Sequence, residues 1–169
     1  AHSSFSKNIN LWYDEYLKNG LDAIISNTSG CGTTLKDYGF IFRNDKDLKK
    51  KAKKISELTK DITEYLNNKV KLNFINNKEI KYKIAYHSAC AMQHGQKLHQ
   101  EPINLIKKTG NEVLDIPDGH ICCGSAGTYN LLQNDIANKL LKNKVKNIKK
   151  INPQIISTGN IGCISQIAR

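Results

Sequence analysis

The chain has 169 residues, 39% of them apolar, and a net charge of +11, enough material to bury one ordinary domain or two small ones. Its longest apolar runs are pieces such as "DAII" and "QIIS", far short of the roughly 20 residues of a membrane-spanning helix, so it reads as soluble. The positive charge is nearly all lysine, with arginine only at Arg43 and Arg169 and few aromatics between the lysine runs; this excludes the usual base-edge and single-strand readers, and no nucleic-acid partner is expected.

The first segment, "FSKNINLWYDEYLKNG", places Phe5, Ile9, Trp12 and Tyr16 at helical intervals and stops at Gly20, a C-terminal cap. A short apolar strand, "LDAIIS", then runs into the glycine-bounded Cys31. Next comes "DKDLKKKAKKISELTKDITEYL", whose Leu48, Ala52, Ile55, Leu58, Ile62 and Tyr65 recur at helical spacing. It reads as one amphipathic helix with its lysines on the solvated face. Such a basic face suits an acidic partner or an anionic membrane surface. The Asn- and Lys-rich residues 67–79 read as a connector.

Beyond the connector, "KYKIAYHSAC" is a strand ending in Cys90, followed by a helix around "KLHQEPINLIKKTG" closed by Gly110 and by the strand "EVLDIP". The pair Cys122–Cys123 follows. A long helix then carries Leu132, Ile136, Leu140, Val145 and Ile148 on one face, and after Pro153 the strand "QIIST" leads to Gly162 and Cys163. Strands alternating with helices of this length imply crossovers and a parallel sheet, hence an α/β fold. Setting "AIISNTSGC" against "QIISTGNIGC" gives the same strand and the same cysteine with one residue inserted, the mark of an internal duplication. The first copy holds only its closing third, and residues before Ala1 are expected to complete it.

Five cysteines, an odd number with no secretory signal ahead of them, point to a reducing compartment. A disulfide between Cys122 and Cys123 is strained, because adjacent Cα atoms lie about 3.8 Å apart against a usual disulfide range of about 4.4–6.8 Å. Thirty-one residues separate Cys90 from Cys122 and thirty-nine separate Cys123 from Cys163, without the tight Cys-x-x-Cys knuckle of a structural zinc site. The carboxyl ends of parallel strands form one crevice, where Cys90, Cys122, Cys123 and Cys163 can meet. Widely separated thiolates gathered in this way suit an iron–sulfur cluster, although zinc also binds thiolates well.

"YHSAC", "CCGSAGTY" and "NIGC" together resemble the cysteine-rich CCG domain found in heterodisulfide reductases, anaerobic glycerol-3-phosphate dehydrogenases, lactate-utilisation proteins and glycolate oxidase iron–sulfur subunits. The wording of "YHSACAMQHGQKL", "PDGHICCGSAGTYNLLQ" and "TGNIGC" is most similar to the second repeat of the glycolate oxidase group, and "SGCGTTLKDYG" to the end of its first repeat. The resemblance implies duplicated CCG-type units with short parallel sheets flanked by helices. Residues 1–66 would be the truncated first repeat with its linker helix, 67–79 the connector and 80–169 the second repeat. It also implies an iron–sulfur cluster, of 4Fe–4S type, ligated by Cys90, Cys122, Cys123 and Cys163, with Cys31 the cofactor-binding cysteine of the first repeat.

The function so implied is electron transfer within a flavin-dependent 2-hydroxy acid oxidase, glycolate to glyoxylate being the expected reaction. The flavin and substrate would sit on partner subunits, with no catalytic residue on this chain. The expected location is cytoplasmic, with peripheral association at the inner face of the membrane. Many such repeats end in Cys-x-x-Cys, whereas Ile164-Ser165-Gln166 follow Cys163, so a five-cysteine cluster of the heterodisulfide reductase type is not expected; Cys31 lacks its partners, and the first site is expected to be empty unless Cys31 reaches across to the second. Two alternatives stay open: a zinc-stabilised scaffold, and a thiol redox subunit of the heterodisulfide reductase kind.

His87, His94 and His120 fall near the cysteine motifs and are expected to support the cluster by hydrogen bonds rather than to ligate it. His2 and His99 read as surface residues, and Asp115 and Asp118 as turn residues around Pro117.

Overall fold

The computed structural model of the protein describes residues 1–72 and 81–169, so much of the connector expected at 67–79 lies outside the described residues. The part before it consists of α1 (His2–Asn19), β1 (Ile24–Ser26), α2 (Ser29–Lys36), α3 (Tyr38–Ile41), α4 (Lys49–Leu58), β2 (Thr59–Asp61) and α5 (Ile62–Lys69). After it come β3 (Lys83–Tyr86), a π-helical turn (Ala91–Gly95), α6 (Glu101–Lys108), β4 (Glu112–Leu114), α7 (Tyr129–Leu132), α8 (Asn134–Lys150), β5 (Ile155–Ser157) and α9 (Ile161–Ile167). β1 pairs with β2, and β3 lies between β4 and β5, every pair parallel. The fold is therefore α/β, with short parallel sheets flanked by helices. Among the described residues no helix is long and apolar enough to cross a membrane.

Each sheet has its own apolar support. Ile9 of α1 is fully buried against Tyr38, Phe42, Ala52 and Ile55, which closes α1 and α4 over the first sheet. Gly20 ends α1 at φ +78°, its N–H donating to the Tyr16 carbonyl, a conformation that glycine adopts without strain. In the second sheet the central strand β3 buries both Ile84 and Ala85, as a strand covered on two faces must. Ala85 meets Ile116 and Ile148 beneath α8.

Two helical readings are corrected. The segment expected as one lysine-rich helix over 45–66 is α4, β2 and α5. The chain turns extended at Thr59, and Asp61 then caps α5, accepting from the Thr63 N–H while Glu64 reaches back to the Asp61 N–H. Pairing of Thr59–Asp61 with β1 satisfies backbone groups that a continuous helix would have used internally, and helical periodicity does not reveal that competitor.

The long helix is likewise interrupted at Gln133, whose φ of −124° and ψ of 56° separate α7 from α8. Its buried residues are Ala137, Lys144, Asn147 and Ile148, not the full stripe expected, since Leu132 is 76% exposed and Ile136 is also exposed.

The duplicated strand and cysteine are duplicated in space as well. β1 and β5 each read Ile-Ile-Ser, and Cys31 and Cys163 are each the third residue of the helix that follows. The two parts meet at Ser29, which is fully buried. Its N–H donates to the Gly159 carbonyl, its hydroxyl accepts from Asn160 Nδ2, and its carbonyl accepts from Gln96 Nε2.

Candidate metal centre

The cysteines stand where the strands end. Cys90 follows β3 at the start of the π-helical turn, Cys122 and Cys123 lie in the loop after β4, and Cys163 opens α9 after β5. All five cysteines, Cys31 included, are free thiols and line a single cavity of about 510 Å³. Cys123 and Cys163 are buried within an apolar cluster with Ala89, Met92 and Leu98, Cys90 and Cys122 are half-buried, and Cys31 is exposed.

Local chemistry explains the presentation of each sulfur. Asn160 caps α9 by accepting from the Cys163 N–H at 3.2 Å, which fixes the first turn on which Cys163 sits. The Gly124 N–H donates to Cys122 Sγ at 3.3 Å. Gly124 itself has φ +90°, and a Cβ there would come within 2.5 Å of the Ala137 carbonyl oxygen. Its glycine therefore lets α8 press against the cysteine loop. Gly162 does face the site region, where a Cβ would meet Ser125 Oγ at 2.7 Å.

The sulfurs are electrostatically linked. The Cys163 thiol hydrogen-bonds Cys123 and, with the His87 imidazole, holds Cys123 well below the ordinary thiol range despite its burial. The same hydrogen bond, together with burial, keeps Cys163 protonated far above that range. Burial pushes the Cys90 thiol up, and the neighbouring Cys122 sulfur adds to the effect.

His87 is 1% exposed, and a ring nitrogen lies with Cys123 Sγ and Cys163 Sγ in a group whose members are all within 4.8 Å of one another. Neither of its ring nitrogens has a hydrogen-bond partner. With only the Cys123 and Cys163 sulfurs beside it, this buried imidazole completes a donor set that a bound group can satisfy. Thiolate-rich donors with one imidazole fit a soft metal or an iron–sulfur cluster, and the cavity admits either.

The other histidines are not brought to this point. His94 and His120 are exposed and line no part of the cysteine cavity, which corrects the supporting role expected for them; His2 and His99 are exposed, as expected. His99 and His120 instead share a separate cavity of about 230 Å³ beside Tyr86.

Sequence reasoning missed Ser29 and Asn160, which tie the two cysteine helices together, and also Lys144 and Asn147. Lys144 is 1% exposed and donates from Nζ to the carbonyls of Gly119 at 3.0 Å and Asp118 at 3.2 Å. Asn147 Nδ2 donates to the Asp118 carboxylate at 3.3 Å. Their only signal was the spacing Ala137–Lys144–Ile148, which sets a lysine on the buried face of α8 amid solvated lysines.

Comparison with known proteins places the chain among cysteine-rich proteins. A family model described as a cysteine-rich domain, CCG, matches residues 84–168. The chain is 39% identical over 163 residues to the glycolate oxidase iron-sulfur subunit of Escherichia coli (strain K12), covering 95% of this chain and 39% of that protein. It is 29% identical over 151 residues to the probable glycolate oxidase iron-sulfur subunit of Bacillus subtilis (strain 168), covering 87% of this chain and 33% of that one. Lactate utilization protein A of Geobacillus sp. (strain WCH70) is 25% identical over 147 residues, 86% of this chain and 61% of the relative. The chain thus spans less than two thirds of each of these relatives.

Proposed function

The chain belongs to the CCG cysteine-rich domain family, and from that premise we propose that it is an electron-transfer part of an oxidoreductase complex, holding an iron–sulfur cluster. The observation that carries this reading is the convergence of Cys90, Cys122, Cys123 and Cys163 on one cavity, with an unpartnered buried His87 beside them. When bound, a cluster supplies one-electron chemistry without proton or group transfer. The chain's own residues supply the rest. The four cysteines give up their protons and hold the cluster, Cys123 being the thiol already most disposed to ionise. Gly124 and Asn160 fix the turns that present them, and Cys31 stands at the same cavity from the other side of the inter-repeat contact.

The finer reading is a subunit fragment of a flavin-dependent 2-hydroxy acid oxidase acting on glycolate, with a 4Fe–4S cluster and flavin-bearing partner subunits. It is supported by the 39% identity to a protein named glycolate oxidase iron-sulfur subunit. The domain division into residues 1–66, 67–79 and 80–169 and a cytoplasmic location belong to the same reading. Anaerobically reconstituted protein is expected to be brown and to contain iron and sulfide. Cys123→Ser is expected to cut iron retention at least about tenfold.

The grouping of His87, Cys123 and Cys163 within 4.8 Å favours a second reading, a zinc-stabilised scaffold. Colourless protein with one zinc per chain and no sulfide after reconstitution establishes that alternative and rejects the first.

A further inference from the structure

We propose that Lys144 is the built-in counter-charge of the cysteine centre: a buried ammonium that grips the turn ahead of Cys122–Cys123 and raises the reduction potential of the cluster they hold. The inference rests on the iron–sulfur reading above and assigns a role to a residue that the reading leaves unused.

α8 carries a row of lysines, and Lys139, Lys142, Lys146, Lys149 and Lys150 are all exposed. Lys144 is the exception. Its ammonium points into the protein, and its two hydrogen bonds end on backbone carbonyls three and four residues before Cys122. No ion pair involves it among the described residues. Burying an ammonium against neutral carbonyls alone is costly, and a chain that needed only to hold this turn has a cheaper device at hand. Asn147, one turn along α8, already binds the Asp118 carboxylate without a charge. Asp118 has φ +52°, a left-handed conformation uncommon for a residue with a side chain, so the turn does need a clamp. The clamp does not need to be cationic.

What offsets the burial of the charge is the cysteine set, with the Asp118 carboxylate of the gripped turn behind it. Burial draws Lys144 downward in pKa, while the sulfurs of Cys123, Cys122 and Cys90 and then the Asp118 carboxylate favour its charged form. The attraction is mutual. Every electron added to a thiolate-bound cluster adds negative charge to a confined site of low dielectric, and a fixed positive charge at the rear of its loop favours that addition. Lys144 is thus a positioning residue whose charge is the part that matters to the centre.

The test compares anaerobically reconstituted parent protein with Lys144→Met, Lys144→Gln, Lys144→Arg and Asn147→Leu. Reduction midpoints are measured by dithionite titration followed by visible and electron paramagnetic resonance spectra. Loss of the charge is expected to shift the midpoint to more negative potential in both the Met and Gln variants, and Arg is expected to restore most of it. Asn147→Leu, which loosens the same turn but keeps the ammonium, is expected to stay near the parent value. Should the Met variant fail to load, the Gln variant, which retains amide donors for the two carbonyls, carries the comparison. A charge-free variant with the parent's iron content and the parent's midpoint overturns the inference, as does an equal shift in Asn147→Leu. A parent without iron and sulfide takes the iron–sulfur reading down as well, whereas a loaded parent with unshifted variants removes this inference alone.

Discussion

Cys31 and Cys163, 132 residues apart in the chain, occupy the same place in two copies of one strand–helix unit and line the same cavity. Ser29 and Asn160, each just ahead of its own cysteine, are hydrogen-bonded to one another at 3.1 Å. The helix that carries Cys31 is therefore tied to the helix that carries Cys163 by a contact made within three residues of each thiol.

This arrangement gives Cys31 a testable part in the cofactor site. It is the exposed member of the five, so in metal-free protein it is expected to be alkylated first. In cluster-loaded protein it is expected to be shielded along with Cys90, Cys122, Cys123 and Cys163, as mass spectrometry of the labelled peptides will report. Equal labelling of Cys31 in both states, with the other four protected, removes it from the ligand set.

The Cys123–Cys163 pair predicts an unusual titration of metal-free, reduced protein. Cys123 is held at about 4, so one thiolate is expected to persist in the ultraviolet spectrum well below neutral pH and to vanish in Cys123→Ser. The sign for stability follows from proton counting. Between the ordinary thiol value of 9.0 and about 4, the unfolded chain keeps the Cys123 proton that the folded chain has released. The Cys123 contribution is thus fully present above the ordinary value and is lost as pH falls through the folded one. Cys163, whose folded value is raised, acts oppositely and loses its contribution as pH climbs above the ordinary thiol range. Urea denaturation across pH is expected to show stability rising from acid to mildly alkaline conditions; a flat profile contradicts the pairing.

Gly124→Ala is expected to destabilise the metal-free protein by at least about 2 kcal/mol, because φ +90° is strained for alanine and the new methyl group has only backbone in front of it. The Ala137 carbonyl cannot move without shifting α8, and with α8 the grip of Lys144 on the cysteine turn. The measurement is the urea midpoint at unchanged slope. Gly127→Ala serves as the control: it has φ +63° but open space around its Cβ direction, so it isolates the conformational part of the cost.

The convergence of the cysteines on one cavity was legible in the sequence because its signal is chemical: widely spaced thiols, each at the end of a strand, converge wherever parallel strands share an edge. The strands themselves were legible from short apolar runs ahead of Gly and Cys. β2 was not, since Thr59, Lys60 and Asp61 carry no apolar alternation and are extended only because β1 offers a partner. Lys144 escaped for a related reason. Composition makes lysine the default surface residue of this chain, and only packing against the 118–119 turn distinguishes one lysine from its neighbours on α8. His87 was noticed but not separated from His94 and His120, because nearness in sequence to a cysteine does not reveal which imidazole the strand turns inward.

Asn160 gives the last prediction, since it serves the fold and the site at once. Its Oδ1 accepts from the Cys163 N–H and its Nδ2 donates to Ser29 Oγ, so one amide both caps α9 and joins it to α2. Replacement by alanine removes the cap, worth about 1 kcal/mol, and also leaves the fully buried Ser29 hydroxyl without that donor, which adds about 1–3 kcal/mol. Asn160→Ser separates the two roles, because its shorter hydroxyl retains an acceptor for the helix N–H groups but does not reach Ser29. In urea denaturation Ser is expected to recover the capping part and not the rest. Both variants are expected to release cluster iron to a chelator faster than the parent, as loosening the first turn of α9 frees Cys163. If Asn160→Ala retains both parental stability and parental iron-release rate, the contact between Ser29 and Asn160 does not hold the two cysteine helices together.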